Sequence, residues 1–186
     1  MSRDIRWLIE AEINEIFQEN LVAEGGYARL LRSLSGLEEN IDSIGIITAE
    51  NPVGVARPSK ENKQRNESLA HDLRELGYGF YQIGGKYGNV EKPYVIPNVK
   101  AGDIVGLGQK YQQASIIYVE KQEDGLLARL IATSGKGIPE VVSRVILPSV
   151  QNVDDFYSFY KGRNFVIPFF DEFYKDAKLV RGKIES

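Results

Sequence analysis

The sequence has no cysteine and a single histidine, His71. The first absence excludes disulfides, thiolate nucleophiles and cysteine-based zinc or iron–sulfur sites. The second excludes a multi-histidine metal site and two-histidine chemistry, so no metal ligands are assigned and no cofactor is indicated. No apolar run approaches the roughly 18 residues of a membrane span, and no membrane partner is expected. The N-terminus, M-S-R-D-I-R-W-L-I-E, carries acidic residues and no apolar segment, so it does not read as a signal peptide. Lysine and arginine number 23 against 26 aspartates and glutamates, a net charge of −3. That balance disfavours nucleic acid as a partner, since such proteins usually show a basic surface. A cytoplasmic protein is the simplest expectation.

What remains is an ordinary globular composition, 42% hydrophobic and 26% charged over 186 residues. A chain of this length is expected to form one domain, 1–186, with a core that needs no staples. Three parts are distinguishable: a helical N-terminal extension (1–40), an α/β core (44–133) and an aromatic C-terminal extension (134–186).

Along the chain, Ile5, Leu8, Ile9, Ile13, Ile16 and Phe17 recur at helical spacing. Gly25-Gly26 breaks that helix, and a second runs from about Tyr27 to Leu37. Ile44 to Thr48 is nearly all apolar and predicts a central strand. Asn51-Pro52 is a turn signal, and a residue before proline avoids the right-handed helical region. Ser59 predicts the N-cap of a helix that ends at Gly77. Its apolar stripe, Leu69, Leu73 and Leu76, extends backward through Asn66 and Asn62. Those amides either bond the Thr48–Pro52 turn and brace it, or read a ligand. Gly79–Ile83 and Pro93–Pro97 predict strands, joined by a glycine-rich hairpin with Lys86 at its tip. A helix over Lys100–Gln113 and strands over Ala114–Glu120 and Leu126–Thr133 follow, with a further strand possible over Val141–Leu147. Val153–Tyr160 predicts a short aromatic helix and Phe165–Phe170 an extended segment.

The order from Ile44 to Glu120 is β-α-β-β-α-β, which predicts an α+β, ferredoxin-like core with a mostly antiparallel sheet. The two N-terminal helices and an α/β C-terminal extension complete it. Because each crossover returns the chain parallel to its start, connectivity gathers Thr48, Asn51, Asn62, Lys86, Glu91 and Gln113 at one edge. The first helix of the core also points its N-terminus there, which suits an anion.

The string T-A-E-N-P, then N-x-x-x-N in the next helix, a glycine-rich hairpin with a glutamate, and Q-A-S-I-I resembles an uncharacterised bacterial family, domain of unknown function 3293. The matching positions are Thr48, Ala49, Asn51, Pro52, Asn62, Asn66, Gly77, Glu91, Gln113 and Ala114, within residues 44–120. Glu50 stands where that pattern has an aromatic. The resemblance implies a shared fold and carries no reaction.

Two classes of function fit these residues. In the first, the polar edge binds a small polar or phosphorylated, nucleotide-like molecule, as a hydrolase or transferase. Thr48, Asn51, Asn62, Asn66 and Gln113 would read the ligand, Arg57 and Lys86 would hold an anion, and Glu91 would be the catalytic base. In the second, the protein is a non-catalytic assembly or interaction protein, of a kind a phage could encode. Its contacts, with a second copy or another protein, would then come from residues 1–40 and 153–170.

Overall fold

The computed structural model describes residues 33, 38–87, 89–122, 125–133, 141–143, 147–149, 156–160 and 163–166. The two helices expected before residue 38 lie outside them. The described chain is α+β. Its strands are β1 (Ser43–Ile47), β2 (Tyr81–Gln82), β3 (Gly84–Tyr87), β4 (Asn89–Glu91), β5 (Tyr94–Pro97), β6 (Ser115–Gln122) and β7 (Gly125–Ala132), then β8 (Val141–Ser143), β9 (Leu147–Ser149), β10 (Phe156–Tyr160) and β11 (Arg163–Val166). Two α-helices are described, α1 (Ser59–Glu75) and α2 (Ala101–Lys110). The strands form a six-stranded sheet, β2-β5-β1-β6-β7-β8, and a five-stranded sheet, β4-β3-β10-β11-β9. Every described pairing is antiparallel.

β1 is central because it can be buried on both faces. Ile44 and Ile46 on one face, and Ile47 on the other, are 1 to 3% exposed. Between them Gly45 sits opposite Ile96 of β5 and Tyr118 of β6. On the face shared by Gly45 and Ile47 the two helices pack, with Leu69, Ala70 and Leu73 of α1 and Ile104 and Leu107 of α2 in one core with Tyr94, Ile96, Ile116 and Tyr118. The opposite face, Ile44, Ile46, Val95, Ile117 and Val119, is buried as well.

Gly45 is required by how closely α2 approaches. A Cβ there would lie 2.2 Å from Ile104 Cδ1 and 2.6 Å from Val99 Cγ1. Gly45→Ala is therefore expected to cost about 1–3 kcal/mol as an overpacked core. Ile104→Val, which removes the nearest methyl, is expected to recover part of the loss in the double variant. Urea unfolding of both tests this, and full additivity of the two losses would refute the steric account.

Several sequence expectations are corrected. Helix α1 starts at Ser59 with Pro58 as its N-cap, and no side chain caps it, because extended Pro58 already sets the helix entry. Leu76 lies past the helix end and is 50% exposed. There Gly77 adopts φ 81°, and the bonds from Tyr78 N–H to Leu73 O and Gly77 N–H to Arg74 O close a Schellman motif. Helix α2 stops at Lys110 because Gln112 turns left-handed, at φ 56°. The segment read as an aromatic helix is instead strand β10, paired with β3 and β11, as its aromatic-rich composition allows.

The hairpin also differs. The strand read over Gly79–Ile83 holds in the central sheet only for Tyr81–Gln82. The chain then leaves that sheet, and β3 and β4 form an edge hairpin of the second one. No helix among the described residues is long and apolar enough to cross a membrane.

Candidate functional site

Between the end of β1 and the start of α1 the chain makes a tight turn, with Asn51 at φ 46°, ψ 60° and a 3-10 turn over Pro52–Gly54. Asparagine tolerates the left-handed region; a β-branched residue does not. Yet Val53 holds φ 50°, ψ 29°, fixed by its N–H bonding Gln112 O at 2.7 Å. Its side chain is 54% exposed, so little packing opposes relief. Val53→Gly is expected to stabilise by up to about 1 kcal/mol, the released strain exceeding the added unfolded-state freedom. A lower melting temperature would refute it.

Helix α1 grips this turn through its amides. Asn62 Oδ1 accepts from Asn51 N–H at 2.9 Å, and its Nδ2 donates to Asn51 Oδ1 at 2.9 Å and Arg57 O at 3.2 Å. One turn on, Asn66 is buried. Its Oδ1 accepts from Ala49 N–H at 2.8 Å and Thr48 Oγ1 at 3.3 Å. Its Nδ2 donates to Glu50 Oε1 and Lys92 O, each at 3.0 Å. Gln113 Nε2 donates to Glu50 O at 3.1 Å and to Tyr111 O at 3.4 Å. Arg65 donates to Ala49 O at 2.6 Å and Tyr111 O at 2.5 Å, tying the turn to the end of α2.

Two carboxyls complete the cluster. Glu50 is buried, its Oε1 bonded by Asn66 and its Oε2 by Lys92 N–H at 3.1 Å. Burial pushes its carboxyl up, against the Lys92 N–H and charge and the Asn66 amide. Glu91 accepts from Asn51 Nδ2 at 2.9 Å. Burial pushes it up to about 7; the Asn51 bond opposes the rise and the nearby Glu50 charge adds to it.

Thr48, Asn51, Asn62, Asn66, Glu91, Gln113 and the Arg57 backbone therefore meet at this end. The Arg57 N–H bonds Asn51 Oδ1 at 3.0 Å, while its guanidinium lies 3.9 Å from Glu61 with both side chains well exposed. Lys86 does not join them. It pairs with Val90, one position from the Gly85–Glu91 pair, and alternate residues of a strand face opposite sides. Lys86 thus lies on the far face of the hairpin from Glu91, within β3 rather than at the tip.

Glu50 and Arg65 were not among the residues assigned from sequence. Glu50 was legible only as a departure from an aromatic, and Arg65 only as a cation beside Asn66 on α1.

Away from this cluster, a shallow cleft of about 640 Å³ lies between α1 and α2, with His71, Asp72, Lys110 and Tyr111 in its lining. Lys110 Nζ and Tyr111 OH each donate to Asp72 Oδ2 at 2.6 Å. Although burial raises the Asp72 carboxyl, these two bonds outweigh it and hold it below its ordinary value.

Fold and site together define an α+β protein whose first core turn is clasped by helix amides beside two carboxyls. Residues 47–116 match the profile of the family described as "Protein of unknown function (DUF3293)". The matched segment runs from the last residue of β1 to the start of β6 and holds every residue of the cluster. No curated protein matches the chain.

Proposed function

We propose that this end of the core is a small-ligand site and that Glu91 is its proton-exchanging group, in chemistry of the hydrolase or transferase kind. The observation that carries the reading is the Glu91 carboxyl itself, held by Asn51 on a strained turn and pushed up to about 7. A general base works best when its pKa lies near the working pH, and burial with a neighbouring charge is how sites achieve that. The asparagines and Gln113 act as positioning residues. They spend their hydrogen bonds on the turn, so the backbone strain at Asn51 and Val53 persists without ligand.

The order β2-β5-β1-β6 over two helices supports reading the core as ferredoxin-like, with the site where β1 meets α1.

The experiment is thermal unfolding of the full chain against a broad set of small polar metabolites. A ligand at a hundred times its dissociation constant adds about 2.7 kcal/mol, roughly 5–10 °C for a chain of this size. Glu91→Gln is expected to fold, and to abolish any turnover found with a stabilising compound. No stabilisation across the set, or turnover retained in the variant, would overturn the reading.

A further inference from the structure

The donors and acceptors at this site are unequally committed. Both Nδ2 hydrogens of Asn62 and of Asn66, and the Nε2 group of Gln113, point inward to carbonyls and carboxyls. Asn51 Nδ2 is engaged by Glu91 Oε1. Among the described residues no hydrogen bond reaches Glu91 Oε2, and the Glu91 side chain is only partly buried.

The cations of this region are mostly directed elsewhere. Lys86 is on the far face of the hairpin, Arg57 is beside Glu61, Arg65 holds two carbonyls, and the Lys92 charge acts on Glu50. The amino end of α1, which could attract an anion, already carries Glu61 in its first turn.

Resting on the small-ligand reading, we infer that the ligand presents a nitrogen N–H donor, from an amine, guanidine or nucleobase amide, to Glu91 Oε2, and that no phosphoryl group sits at this carboxyl. A phosphate would have to enter beside two carboxyls, one of which already draws the Lys92 charge. An N–H donor satisfies Glu91 Oε2, a carboxylate oxygen that no hydrogen bond reaches among the described residues, and a charged one gains further as Glu91 ionises.

The test is binding by calorimetry and thermal shift at pH 6 and pH 8, with agmatine and guanosine as N–H donors against inorganic phosphate and ribose 5-phosphate. Guanidinium stays charged over this range, so any pH dependence of agmatine binding reports the protein. Agmatine is expected to bind about tenfold more tightly at pH 8, as Glu91 goes from about one-tenth to nine-tenths ionised. Glu91→Gln should flatten that dependence. Binding of the phosphate probes alone, or donor binding unchanged in Glu91→Gln, would overturn the donor inference while leaving a ligand site in place. Silence from all four probes overturns the inference, and the small-ligand reading falls with it only if the broad metabolite set is silent too.

Discussion

Asn66→Leu is expected to destabilise the protein by about 4 kcal/mol. Leucine keeps the branch at Cγ but is bulkier, so most of the loss is one of partners, with some overpacking added. Four groups lose a bond at once: the Ala49 N–H, the Thr48 hydroxyl, the Lys92 carbonyl and the Glu50 carboxyl. Ala49 is 0% exposed and Asn66 4%, so water does not readily replace the amide. An orphaned buried polar group costs about 1–3 kcal/mol, and because these share one cluster their costs do not simply add. The melting temperature should fall by roughly 8–16 °C. Asn66→Asp should recover only part of the loss. It keeps an acceptor for Ala49 N–H but removes the donor and sets a second charge beside Glu50. A loss under about 1 kcal/mol for Asn66→Leu would show that the turn does not depend on its brace.

Glu91→Gln should change the pH dependence of stability, in a direction fixed by the sign of the shift. The folded carboxyl titrates at about 7 against an ordinary 4.5. Between those values the folded state holds the proton more often than the unfolded one. Glu91 therefore contributes stability that is fully present below pH 4.5 and is lost as pH rises through about 7. The full displacement corresponds to at most about 3 kcal/mol at 1.36 kcal/mol per pH unit. Partial exposure of the side chain reduces this to about 2. Glutamine can still accept from Asn51 and never ionises. The variant should match the native protein at pH 4 and exceed it by about 2 kcal/mol at pH 8. Comparing the two proteins by thermal unfolding across that range cancels the opposite trend from Asp72. Its depressed carboxyl adds stability that is lost as pH falls. Parallel curves for the two proteins would place Glu91 in water. A residue that costs stability at neutral pH, bonded to a turn that is strained as well, is what a site selected for activity is expected to contain.

The parts legible in the sequence are those that local chemistry sets. The near-continuous apolar run of β1 marks a strand buried on both faces, and β1 has neighbours on both sides. Gly77 marks the end of α1 because only a left-handed residue completes that cap. The leucine-to-asparagine stripe of α1 announced polar groups facing inward before any partner was known. What lay beyond local reading depends on parity and on burial. Shifting one residue along a strand exchanges its face, so Lys86 and Glu91, placed together by connectivity, are separated by the hairpin register. An aromatic pentapeptide can be helix or strand, and pairing with β3 and β11 decides for strand in β10. Glu50 has the composition of a surface residue, and only packing between α1, α2 and the hairpin buries it.

By itself the sequence determined the element types of the core, the absence of thiol and multi-histidine chemistry, and which polar residues stand near the first turn. The tertiary structure alone decided which way each amide points, which face Lys86 occupies, and that Glu91 is pushed up to about 7. The physical reason is that spacing along a chain sets periodicity, whereas hydrogen-bond direction and desolvation depend on neighbours 11 to 63 residues away.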